Sequence, residues 1–134
     1  MSLVGEHLSV DNMNRGIELT SEEMNVIVPE FAVAGVPHGN FFAHEWFIAS
    51  NDKIDAIKFA ELLDNKIKSL NDDYIVERKH ALKAVTVHVL PEKTFMDFMK
   101  SKGKMGGQHK FPRVLKGKML EDWKLFLSKT NSTH

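Results

Sequence analysis

Asp52-Lys53-Ile54-Asp55-Ala56-Ile57-Lys58-Phe59-Ala60-Glu61-Leu62-Leu63-Asp64-Asn65-Lys66-Ile67-Lys68-Ser69-Leu70 is the stretch whose reading decides the fold. Ile54, Ile57, Ala60, Leu63, Ile67 and Leu70 recur along it at helical spacing, which predicts a helix from Lys53 to about Leu70 with that face turned to a core. Asp52 is a good N-cap. Asp55 falls in the first turn, where a negative charge meets the positive end of the helix dipole, and Asp64 with Lys68 forms an i,i+4 pair on the helix surface.

Outward from this helix the pattern changes to that of strands. On its N-terminal side, Phe42 to Ala49 holds Trp46, Phe47 and Ile48, and Val26 to Val36 holds Ile27, Val28, Phe31, Val33 and Val36. Pro29 is tolerable only at the start or edge of such a strand. His38-Gly39-Asn40 turns the chain between the two, so antiparallel pairing is the simplest connection. Earlier still, Ser9 or Asp11 can cap a helix reaching about Met24, with Met13, Ile17 and Met24 on one side. Gly16 weakens it, and Thr20 with Glu23 offers a second capping box, so two short helices are the alternative.

On the C-terminal side Asn71-Asp72-Asp73 breaks the helix, and Tyr74, Arg78 and His80 follow in a segment that could be a short helix. Ala84 to Leu90 alternates as a strand, with Val85, Val87 and Val89 facing one way and Thr86 and His88 the other. Thr94 is expected to cap a helix burying Phe95, Phe98 and Met99 and ending at Gly103. Met119 to Leu127 then forms a closing helix, with Lys129 to His134 expected to fray. This order fits an α+β domain, a small antiparallel or mixed β-sheet flanked by helices. With 134 residues the chain fits one domain, 1–134, large enough for a core but not for a second, cofactor-binding domain.

Charge is distributed unevenly. Residues 100–118 hold seven of the 18 Lys and Arg residues and no acid, so the rest of the chain carries 11 bases against 18 acids. A basic segment on an acidic body invites an anionic ligand. Gly103, Gly106 and Gly107 let the backbone turn tightly, and Pro112 fixes one bend between Lys110 and Arg113. Charge runs are most often solvated surface and Gly-rich loops most often turns. Here, however, Met105, Gln108, His109, Phe111 and Pro112 interleave with the charges, as they would not in a slack linker. Lys110 can follow a developing negative charge as a mobile point charge. Arg113 can either clamp an oxyanion with two parallel bonds or pair with a carboxylate of the body, and Gln108 and His109 can add hydrogen bonds.

Other chemistries find no footing. A hydrophobic content of 43% and a charged content of 27% exclude a disordered chain, and no apolar run approaches the length of a membrane span. There is no cysteine, hence no disulfide framework and no thiolate, and the cytoplasm is the natural compartment. His38, His44, His80, His88 and His109 lack metal-ligand spacing, so no metal is expected. His44, beside Glu45 and Trp46, reads as a surface or edge residue, and His88 as a hydrogen-bonded sheet residue. A net charge of zero makes bulk nucleic-acid binding unlike this chain. Phosphate-loop, dinucleotide and Gly-x-Ser-x-Gly signatures are absent.

Gly103-Lys104-Met105-Gly106-Gly107-Gln108-His109-Lys110-Phe111-Pro112-Arg113 resembles the auxin-responsive Gretchen Hagen 3 family of acyl acid amido synthetases, in particular its bacterial members. Val4-Gly5-Glu6-His7-Leu8-Ser9-Val10-Asp11-Asn12, His44-Glu45-Trp46, Ser69 to Tyr74 with Arg78, and Phe98 to Gly103 fit the same pattern, so the resemblance runs from about Val4 to Trp123. Phe31 to Asn40 and Val114 to Lys118 stand outside it.

The resemblance implies that residues 1–134 are the C-terminal cap domain of a larger two-domain acyl-adenylating enzyme. A preceding domain would bind ATP with Mg2+ and the acid, form an acyl-adenylate and pass the acyl group to an amine such as an amino acid. Lys110 takes the place of the lysine that reaches the reacting oxygens, with Gly106, Gly107, Gln108, His109 and Arg113 as phosphate- or substrate-contacting candidates and Gly5 and Glu6 near the interdomain hinge. The isolated domain is expected to be inactive. The alternative is a standalone module that holds phosphate or RNA on the basic segment. Without an anionic partner, residues 103–113 are expected to be among the least ordered, unless Phe111 and Pro112 pin them to the core.

Overall fold

The computed structural model describes residues 8–103 and 111–131. Its central helix α2 runs Ala56–Leu70, starting three residues later than expected. Asp52 is not the cap, because its carboxylate is spent on the backbone N–H of Ile27 at 2.7 Å. Asp55 takes the role instead and accepts from the N–H groups of Ile57 and Lys58, each at 3.1 Å. The buried stripe is Phe59, Leu63 and Ile67, whereas Ile57 is 76% exposed and Leu70 lies at the surface. At its N-terminal end the buried face is therefore shifted by one position from the apolar spacing of Ile57 and Ala60 to Phe59.

Helix α1, Val10–Met24, is continuous, capped by Ser9 and ended by Asn25 in the left-handed conformation. Its Gly16 is there for closeness. A Cβ at this position would lie 2.8 Å from Ile67 Cγ1 and 3.2 Å from Leu63 Cδ1, so glycine sets the approach of α1 to α2. Gly16→Ala should gain about 1 kcal/mol of helix propensity and lose about 1–3 kcal/mol to overpacking. A net destabilisation of about 1 kcal/mol is expected, measurable as a lowered urea midpoint at unchanged slope.

Strands β1, Glu30–His38, and β2, Phe41–Ala49, form the expected antiparallel hairpin. Pro29 stands just before the first of them, and Gly39 turns the pair at φ +61°. After α2, the Asn71 that breaks the helix also begins the next one: its side-chain oxygen accepts from Tyr74 N–H at 3.1 Å and caps α3, Asp72–His80. Strand β3, Leu82–Leu90, then lies parallel to β2, with α2 and α3 making the crossover that parallel strands require. Helix α4, Glu92–Ser101, opens at Pro91 and not at Thr94. Asn51, 41 residues earlier, satisfies its first turn by binding both the side chain and the N–H of Glu92.

Two elements fall inside or beyond the basic segment. Val114–Leu115 is a short strand, β4, parallel to β1, and α5 runs Gly117–Asn131, starting earlier and holding longer than expected. The sheet is thus mixed, in the order β3-β2-β1-β4. One core, with Trp46, Phe59, Leu63 and Tyr74, lies between the sheet and helices α1 to α3; the other, with Phe47, Phe95, Phe98, Phe111 and Trp123, lies under α4 and α5. Among the described residues no helix is long and apolar enough to cross a membrane.

Candidate functional site

The basic segment hangs between two firm points. At its start α4 closes on Lys102, whose N–H is shared by the carbonyls of Phe98 and Met99, and Gly103 follows at φ +74° with its N–H on Lys100. At its end Phe111 is buried, 5% exposed, with ring centroids 4.7 Å from Phe95, 4.9 Å from Trp123 and 5.9 Å from Phe98. Trp123, fully buried, also touches Phe47 and Phe126 and is the hub of this cluster. Phe111 is thus pinned to the core; the expectation on the order of residues 103–113 falls mainly on residues 104–110, which lie outside the described residues. Gly106, Gly107, Gln108, His109 and Lys110, and likewise Gly5 and Glu6, lie outside the described residues.

Arg113 is part of the framework. Its Nη1 donates to Glu30 Oε1 and, at 3.1 Å, to the carbonyl of Phe31; its Nε reaches Asn14 Oδ1 at 3.3 Å. The guanidinium carbon stands 4.2 Å from the centroid of the Phe31 ring, and the Arg113 carbonyl accepts from Val33 N–H at 2.7 Å. One residue therefore joins α1, β1 and β4. Lys102 and Lys118 share Asp122, whose carboxyl they hold below the usual carboxylate range, Lys102 by the larger effect. Of the basic residues in the segment that are described, only Lys100 and Lys116 lack an ion pair. The contrast between basic segment and acidic body is thus partly neutralised by contacts across it.

His44 is corrected by the structure: it lies within the central strand β2, 3% exposed, with its ring 5.7 Å from that of Phe42. Glu45 points to the opposite face, as strand alternation requires, and accepts from Lys124 at 2.7 Å while lying 3.0 Å from His88 Nε2. His88 is the hydrogen-bonded sheet residue expected. Burial alone would raise the Glu45 carboxyl, but the hydrogen bonds from Lys124 and His88 outweigh it and hold the value below its ordinary 4.5. Because the folded value is depressed, this stabilisation is present above the unfolded value and is lost as pH falls through the folded one. Glu45→Gln should therefore lower Tm most above about pH 4.5, and the gap to the parent should shrink in more acid solution; a gap independent of pH would refute the linkage.

Tyr74 and Arg78, by contrast, serve the framework. The Tyr74 hydroxyl donates to Asp64 Oδ1 at 2.6 Å, and Arg78 bridges the same oxygen at 2.9 Å to the Leu82 carbonyl at 2.6 Å. Burial, with Asp64 adding to it, pushes the phenol well above its ordinary value, so it stays a donor. Among the described residues no three His, Asp or Glu side chains come together as metal ligands.

A mixed four-stranded sheet flanked by helices, with α4 before the basic segment and the Phe111 anchor and edge strand β4 after it, defines a small α+β domain. The sequence profile of the GH3 family C-terminal domain matches residues 11–118, and the chain belongs to that family. The solved structure of "GH3.15 acyl acid amido synthetase" matches 96% of this chain with a TM-score of 0.71 at 15% identity. That of "AtGH3.15 acyl acid amido synthetase in complex with 2,4-DB" matches 91% with a TM-score of 0.59 at 17% identity. In both cases the chain spans 25% of the other chain's length. No curated protein matches it.

Proposed function

We propose that residues 1–134 are the mobile C-terminal domain of an ATP-dependent acyl-adenylating amido synthetase of bacterial type, working in the cytoplasm on a preceding adenylating domain. The observation that carries the reading is the anchoring of Phe111, the neighbour of Lys110, in the aromatic core of a domain of this family. In the first half-reaction a carboxylate oxygen attacks the α-phosphorus of ATP and the bond to pyrophosphate breaks. The preceding domain supplies the ATP and Mg2+ sites. Lys110 brings its ammonium to the oxygens on which charge develops, and Gly106, Gly107, Gln108 and His109 allow and assist that approach. In the second half-reaction an amine nitrogen attacks the acyl carbon, loses its proton and expels AMP. Gly5 and Glu6 lie where the chain would swing between the two.

One observation weighs against a standalone RNA-binding module: Lys102, Lys118 and Arg113 are paired with carboxylates of the domain itself. The deciding measurement is acid-dependent exchange of labelled pyrophosphate into ATP. The full-length protein should catalyse it and residues 1–134 should not. Exchange by this chain alone, or tight oligonucleotide binding that weakens steeply with salt, would sink the proposal.

A further inference from the structure

The two edges of the sheet differ in what they offer. Strand β4 has two residues, too few to seat another chain, whereas β3 has nine, Leu82–Leu90, and no proline. Among the described residues only β2 pairs with β3. Its one lysine, Lys83, does not guard the edge, because the ammonium sits 4.5 Å from the centre of the Phe41 ring. The Leu90 carbonyl accepts from Ser50 N–H on the β2 side. Alternation along the strand therefore turns the N–H and C=O groups of Val85, Val87 and Val89 outward.

Beside these outward groups a cleft of about 350 Å³ runs between β3 and α2. Ile57, Ala60, Val85 and Val87 make one end apolar, and Ile57 is 76% exposed there. Asp64 and Arg78 close the other end and neutralise each other, with Arg78 also holding the Leu82 carbonyl. Glu61 stands between, exposed and without an ion pair among the described residues, so it sets the sign of the cleft. Along α2, Glu61 lies about 6 Å beyond Ile57. An extended chain repeats its same-facing side chains every 6.6 Å or so, about the same step. A strand laid on Val85 and Val87 would thus set one inward side chain against Ile57 and the next against Glu61. We propose that the β3 edge takes up an extended segment of a partner protein as a fifth strand, with an apolar residue and a Lys or Arg two positions apart turned towards α2. The backbone ladder supplies the affinity, and Glu61 selects a cationic segment by charge complementarity. The inference stands independently of the amido synthetase reading.

The test is a titration of the isotopically labelled chain with the capped peptide Ac-Thr-Val-Thr-Lys-Thr-Val-Thr-NH2, followed by amide NMR at low salt. One control peptide carries Glu in place of Lys. The other carries Pro in place of each Val, which keeps an apolar side chain but cannot donate to the ladder. Saturable binding with a Kd of about 0.1–1 mM is expected. Shifts should centre on Ile57, Glu61 and the three valines, whose amide exchange should slow, and each control should bind at least about tenfold more weakly. Ile57→Lys, at an exposed position, should weaken the peptide about tenfold or more with spectral dispersion kept. Glu61→Gln should weaken it about threefold, as an exposed ion pair does. Absence of saturable shifts, shifts confined to another surface, or equal binding of either control would each overturn the inference. A dimer in sedimentation equilibrium joined at Val85–Val89 would assign the edge to a second copy. Loss of peptide binding in the full-length protein, read by fluorescence anisotropy, would assign it to the preceding domain. Either result would overturn the inference as well.

Discussion

Lys110→Ala in the full-length protein should lower acid-dependent pyrophosphate exchange by about 10²–10³-fold, the usual loss when one preorganised group facing developing charge is removed. An in-line displacement at phosphorus asks little covalent chemistry of a protein. Positioned positive charge supplies most of what the protein adds, so removing one ammonium acts mainly on the chemical step. The effect should appear in kcat for exchange more than in the KM for ATP, since the preceding domain is proposed to hold the nucleotide. Lys110→Arg should recover only part of the rate, because a planar, delocalised guanidinium does not replace a compact ammonium. Amide formation from pre-formed acyl-adenylate should suffer less than exchange, as no phosphoryl bond is then broken. Exchange that survives Lys110→Ala intact would remove the role assigned to this residue and leave the basic segment as surface.

The same substitution is expected to leave Tm unchanged, since among the described residues three firm points lie to either side of Lys110. Gly103 closes α4, Phe111 enters the aromatic core, and Arg113 ties β4 to β1. A loss of exchange at unchanged Tm therefore separates chemistry from stability.

How legible this was from the chain alone differs by element. The helical period of α1 and α2 and the alternation in β3 carry their own signal, so the α+β class and the hairpin could be read directly. Local signals failed where a distant residue decides. Asp52 and Asp55 are equally good caps on paper, and the contact of Asp52 with Ile27 chooses between them. Strand β4 has only two residues and pairs with β1 some 80 positions away, so no periodicity can announce it. His44 looked like a polar edge residue because nothing nearby reveals that β2 has strands on both sides. At the site, the glycine-rich basic stretch is plain in composition. The partner of Arg113 is not, since Glu30 lies 83 residues away. The apolar pair Phe111-Pro112 between Lys110 and Arg113 is the feature of the sequence from which an anchor is expected.

Phe111→Ala is expected to cost about 3–5 kcal/mol, a large part of the stability of a domain this size. The ring contributes edge contacts to Phe95 and Trp123 and a tilted contact to Phe98 as well as its area, and its loss leaves Trp123 facing a void on one side. Chemical denaturation should show the midpoint falling steeply, and Phe111→Leu should restore more than half of the loss by refilling the volume. The functional consequence separates two roles for this residue. If Phe111 only fills the core, Phe111→Leu should regain exchange activity in proportion to stability. As the anchor next to Lys110, it should do less well: Phe111→Leu is then stable at the assay temperature yet still exchanges pyrophosphate at least about tenfold more slowly than the parent, since about 1 Å of misplacement can cost 10²-fold. Phe126→Leu is the control, because it disturbs the same cluster from α5 through Phe98 and Trp123 and makes no ring contact with Phe111. Its exchange rate should follow its stability.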